Sequence, residues 1–169
     1  MKQSRFFLIF AAMVLAQALA SGCLNLSRFI MLSILPSLIV CLPLKWRPWF
    51  GVLLAFVAGL AVDFLGTGML GLSSMALMPV ALLRDRFFEL LFGDEVFARS
   101  EDVPLSRQSG GKVFIVTALS SALYMLVAVW AEAAGTCPFG FLLLRWALST
   151  AVSALVGYFV VNLLFSDKR

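Results

Sequence analysis

Two ionisable side chains, Asp63 and Arg145, fall inside long apolar stretches of this 169-residue chain. A charge held in a bilayer costs several kcal/mol, so each is a candidate for function. Asp63 lies 14 residues past Trp49, about 21 Å along a helix at 1.5 Å per residue. Arg145 lies 6 residues past Phe139, about 9 Å along a helix running the opposite way. In a hydrocarbon core about 30 Å thick the two share one depth. Gly51, Ala55, Gly59 and Asp63 recur every four positions, as do Arg145, Ser149, Ser153 and Gly157. Small residues at that spacing let membrane helices approach closely. The pattern predicts that the two helices pack together with Asp63 opposite Arg145 as a structural ion pair. The alternative chemistry is a proton or substrate relay through Asp63.

Other chemistry is scarce. There is no histidine, which removes the commonest general base near neutral pH and the commonest metal ligand. Cys23, Cys41 and Cys137 are too few and too scattered for a zinc site or a disulfide framework. Cys23 and Cys137 fall on the same expected outer side, but nothing in the sequence places them close. No Asp-rich metal motif, glycine-rich nucleotide loop or Ser–Lys nucleophile pair occurs. The sequence therefore predicts no catalytic residue, no bound metal and no cofactor. Mid-span polar groups are limited to Gln17, Ser33, Ser73, Ser74, Thr117, Ser120, Ser121, Ser149 and Ser153. Glu132 and Arg28 read as solvated charges on the outer rim.

The elements that must position these residues follow from composition. Hydrophobic residues make up 62% of the chain and charged ones 13%. Soluble domains are nearer half and a quarter, so the solvent for much of this surface is lipid. An ordinary soluble enzyme, a secreted disulfide domain and a disordered regulator are excluded. Apolar runs predict six transmembrane helices at about 6–26, 29–44, 49–65, 68–83, 113–134 and 139–165, a single integral membrane domain over 1–169. The second and fourth runs, 16 residues each, reach only about 24 Å. The fourth is expected to continue, because Phe87, Phe88, Leu90 and Leu91 extend its apolar face past Arg84.

The basic residues give the orientation. Lys2, Arg5, Lys45, Arg47, Arg84, Arg86, Arg99, Arg107, Lys112, Lys168 and Arg169 all fall on one side if both termini are cytoplasmic. Only Arg28 and Arg145 do not, which is the positive-inside pattern. The net charge of +4 is then a topology signal and no nucleic-acid partner is implied. The outer connections are short, and the one sizeable loop, 84–112, is cytoplasmic. Lys2 and Arg5 before an apolar run that ends at Ala20-Ser21-Gly22-Cys23 resemble a lipoprotein signal. The run continues through Leu24 and Leu26, and Ala20 stands where such signals carry Leu, so an uncleaved first span is expected. Ala12, Ala16 and Ala20 form a further small-residue stripe, a candidate partner face.

The third and fourth runs carry a distinctive order: Gly59-Leu-Ala-Val-Asp63-Phe-Leu-Gly-Thr-Gly-Met-Leu-Gly71-Leu-Ser-Ser. It resembles the bacterial rod-shape-determining protein MreD family. Pro43-Leu-Lys-Trp-Arg-Pro-Trp49 is similar to that family's short inner connector, and Leu144-Arg145 to its last span. The Ser100–Gly111 stretch matches no pattern. The resemblance implies a multi-pass protein of the bacterial inner (cytoplasmic) membrane, with a six-helix fold similar to the substrate-binding subunits of energy-coupling-factor vitamin transporters. It also implies a non-enzymatic scaffold of cell elongation that helps maintain cell shape by organising lateral peptidoglycan synthesis. Its implied partners are membrane lipid, an MreC-like protein, a RodA-type glycosyltransferase, a class B penicillin-binding protein and the MreB filament. The alternative is a small-molecule, vitamin-like binding subunit of a membrane transporter. The thin mid-span polar inventory favours the scaffold.

Overall fold

The computed structural model describes residues 3–23, 31–42, 48–67, 70–92, 110–133 and 138–166. These form an all-helical bundle, with no strand among the described residues. Helix α1 spans Gln3–Cys23, α2 Leu35–Val40, α3 Pro48–Val62, α4 Leu72–Phe92, α5 Gly110–Ala133 and α6 Phe139–Ser166. A π-helical turn, Asp63–Thr67, continues α3.

Three stretches are long and apolar enough to cross a membrane: Trp49–Gly66, Gly110–Ala133 and Phe139–Leu163. Ile9–Leu19 of α1 is a shorter apolar helix. Helix α4 runs on to Phe92 with Phe88 fully buried, as the apolar face beyond Arg84 required. The expected 84–112 loop is therefore shorter, because α4 takes its start and α5 its end; residues 93–109 lie outside the described residues. So do Arg28, Cys137 and the Lys45–Arg47 connector, and with Cys137 the question of its pairing with Cys23.

The second expected span, 29–44, is corrected. Its described part is no continuous helix. Residues 31–34 are non-helical, and α2 has six residues, about 9 Å of rise. Pro36 in the first turn of α2 fits a helix start, where its missing N–H goes unused. Every residue of α2 is buried. The segment packs on α4, α5 and α6. Burial in protein and burial in lipid both demand apolar residues, so the apolar run alone could not tell one from the other.

The remaining packing follows chain order and is antiparallel except for α1, whose end at Ala18 and Ser21 meets Gly66 at the end of α3's π turn. Helix α3 lies on α4, α4 on α5, and α5 on α6, while α1 lies on α3 and the π turn. Phe10, Val14 and Ala18 of α1, Ala55, Ala58 and Val62 of α3, Leu77 and Val80 of α4, and Tyr124 and Met125 of α5 share one core. Outward faces stay apolar: Leu53 and Val57 on α3, Phe64 on the π turn, and Leu155, Phe159 and Leu163 on α6 are all exposed. Lipid supplies no hydrophobic drive between helices, so contact must come from shape. Gly59 shows how. A Cβ there would lie 2.6 Å from the Ser74 Cα and 2.7 Å from its backbone nitrogen.

Candidate functional site

Two sets of buried polar groups join separate elements, apart from Thr117, Ser120 and Ser121 within α5. The first closes the α3–α4 hairpin. Asp63 is fully buried. Its Oδ2 accepts the backbone N–H groups of Gly71 and Ser73, each at 2.9 Å, and Oδ1 accepts Ser73 again at 3.2 Å. Gly71 and Ser73 open α4, where the first N–H groups have no intrahelical acceptor and the helix dipole favours negative charge. The π turn carries the chain out of α3 just where this carboxylate must face back on α4. Gly71 has φ +97°, a left-handed conformation that glycine adopts without steric cost. Ser74 Oγ donates to the Phe56 carbonyl at 3.1 Å and ties the same two helices together.

The expected Asp63–Arg145 pair is thereby corrected. Arg145 Nη2 instead meets Glu132 Oε2 at 2.8 Å, linking α6 to the end of α5. Equal depth did not make the two residues neighbours, because α3 packs on α4 while α6 packs on α5 and α2. Each charge found a closer partner within its own hairpin. Glu132, read as a solvated rim charge, is that partner for Arg145.

The second set holds the non-helical stretch 31–34. Gln17 Nε2 donates to the Leu32 carbonyl at 3.1 Å, and its Oε1 accepts the Ile34 N–H at 3.0 Å. From the other side, Ser149 Oγ accepts the Met31 N–H at 3.0 Å. Ser153 Oγ accepts the Ser33 N–H at 3.2 Å and donates to the Met31 carbonyl at 3.5 Å. Gly157 continues the row: Ser37 Oγ occupies the place its Cβ would take. The Ser149–Ser153–Gly157 stripe thus faces the buried segment rather than α3. On α3, Ala55 is fully buried, whereas Gly51 has open space where a Cβ would stand. At the end of α2, Arg84 is buried and donates Nη1 to the Ile39 carbonyl at 3.3 Å and Nε to Asp85 Oδ1 at 3.3 Å. A cation at a helix C-terminus suits the dipole there. In the sequence, Arg84 stands out only as a topology charge and Gln17 only as one mid-span polar group among several. A lone amide in an apolar span was the available signal.

Chemically, these side chains build backbone rather than present reacting atoms. Among the described residues no group of three or more Cys, Asp or Glu could hold a metal ion. A cavity of about 370 Å³ opens between α5 and α6, lined by Leu126, Trp130, Phe139, Leu142, Leu143 and Trp146. It offers almost no polar group to orient a solute. Ala12 and Ala16 of the α1 stripe are exposed, on one face with Leu15 and Leu19; the Ala20 side chain lies outside the described residues.

The fold and these sites define an all-helical protein with helices long and apolar enough to cross a membrane. Comparison with protein-family models, curated proteins and solved structures finds no match to this chain.

Proposed function

We propose that this chain is a non-enzymatic scaffold of a bacterial inner membrane, of the MreD type, acting in cell elongation. One observation carries the reading. Asp63, Gln17, Ser149 and Ser153 spend their buried polar atoms on the chain's own backbone, while α1 keeps Ala12, Leu15, Ala16 and Leu19 open. A protein of this kind works through helix faces, and small residues on an open face suit a partner helix. The partners in this proposal are an MreC-like protein and, with it, a RodA-type glycosyltransferase, a class B penicillin-binding protein and the MreB filament. The topology is six crossings with both ends cytoplasmic, the second made by the broken segment that contains residues 31–42. The one-sided basic residues support it.

The broken segment also favours a second reading, a small-molecule binding subunit. Unwound backbone at membrane depth lies buried in protein or lines a cavity, and in transporters it marks binding sites. One experiment separates the two: purification in mild detergent, with identification of co-purified proteins and a binding titration with vitamin-sized solutes. The scaffold reading expects an MreC-like partner, weakened by Ala16→Phe at unchanged folded yield. Saturable solute binding without such a partner overturns it.

A further inference from the structure

Among the described residues, four buried hydroxyls have no hydrogen-bond partner: those of Ser33, Ser37, Ser120 and Thr150. The first three sit on residues that are 2%, 0% and 0% exposed. They come from different parts of the chain and line one seam. Ser37 Oγ fills the space over Gly157 of α6, and the Thr117 methyl of α5 lies 3.0 Å from that same point. Ser33 lies farther along the segment, where its N–H reaches Ser153, one turn of α6 before Gly157. The fully buried Tyr124 of α5 brings its hydroxyl up to Ser33 as a polar neighbour, outside full hydrogen-bond geometry. Ser120 is three residues after Thr117 and four before Tyr124, so it lies on the same face of α5 between those two levels.

A hydroxyl left unpaired in a dry core is costly, and native proteins rarely tolerate several together. Buried water satisfies such groups, making two to four hydrogen bonds in sites that are polar enough. The seam adjoins non-helical backbone, which inside a membrane lies either in protein or along water. We infer that Ser33, Ser37 and Ser120 hold a short file of ordered water between the buried segment and α5. The inference does not depend on the scaffold reading. It makes this seam the hydrated part of the interior.

Water-to-protein magnetisation transfer, measured by NMR on the full chain in phospholipid nanodiscs, tests it. Transfer is expected to reach the amides of Ser33, Ser37 and Ser120 and to leave those of Leu77 and Val80 in the dry core silent. The triple variant Ser33→Ala, Ser37→Ala, Ser120→Ala is expected to lose the transfer and to melt about 2–4 °C lower. Removing orphaned hydroxyls from a dry seam would instead raise the melting point. No transfer in the unmodified chain, or a triple variant that melts higher, overturns the inference. If the variant does not fold, the transfer experiment on the unmodified chain decides alone.

Discussion

The carboxylate of Asp63 caps the helix that follows it, with Ser73 N–H 2.9 Å from Oδ2. An acid expected to need a base from the far end of the chain is stabilised by the turn it begins. The positive end of α4 meets the carboxylate with donors that no other group of α4 can satisfy.

Asp63→Asn can set its one amide oxygen where Oδ2 accepts both N–H groups, but it loses the charge and puts an NH2 where Oδ1 accepts Ser73 at 3.2 Å. Hydrogen bonds to charged groups contribute about 1.5–3 kcal/mol, and a loss in that range is expected in thermal unfolding in detergent. Adding Arg145→Gln is not expected to rescue it. Residues without a shared partner should give additive losses. A double variant more stable than Asp63→Asn would restore the cross-bundle ion pair.

Arg145 and Glu132, by contrast, should couple. Their side chains are 16% and 34% exposed at 2.8 Å. A double-mutant cycle with Arg145→Gln and Glu132→Gln is expected to give a coupling of about 1 kcal/mol, at the upper end for partly solvated pairs. Coupling indistinguishable from zero would mean that the two charges are solvated separately.

Gln17→Ala removes both partners of Leu32 and Ile34 at once. Each buried backbone group left unpaired costs about 1–3 kcal/mol. Gln17→Glu can still accept from Ile34 but sets a buried carboxylate against the Leu32 carbonyl, so its loss should match or exceed that of alanine. Folded yield by size-exclusion chromatography orders the three. An alanine variant as well folded as wild type would show that the segment is held by other contacts.

Gly59 and Gly51 offer a paired comparison on one stripe. Alanine at Gly59 would drive its Cβ into the Ser74 backbone, which cannot move aside as a flexible side chain would. Gly59→Ala should sharply lower folded yield. Gly51→Ala meets nothing within 4 Å and should be neutral or stabilising by up to about 1 kcal/mol through helix propensity.

The long apolar runs were legible because their period and length admit little else: α1, α3, α5 and α6 fall close to the expected spans. The extension of α4 was legible from Phe87, Phe88, Leu90 and Leu91 past Arg84. The broken segment was not, since hydropathy reads burial and not what does the burying. Pro36 between Ser33 and Ser37 was its local mark. The small-residue stripes correctly pointed to close approach at Gly59 and Gly157, but spacing on one helix carries no information about which helix it meets. The partner of Asp63 was written nearby, in Gly71 and Ser73, as backbone donors that side-chain pairing arguments overlook.

The stretch 31–34 finds its partners at very different times. Gln17 precedes it by 15 or 17 residues, but Ser149 and Ser153 follow by 118 and 120. During synthesis, one flank of this backbone is therefore satisfied early, while the other waits for almost the whole chain. Until α6 is made, the N–H groups of Met31 and Ser33 must be satisfied by water or by another partner. Assembly cannot finish segment by segment from the N-terminus, and the C-terminal helix acts as the latch that completes the second segment.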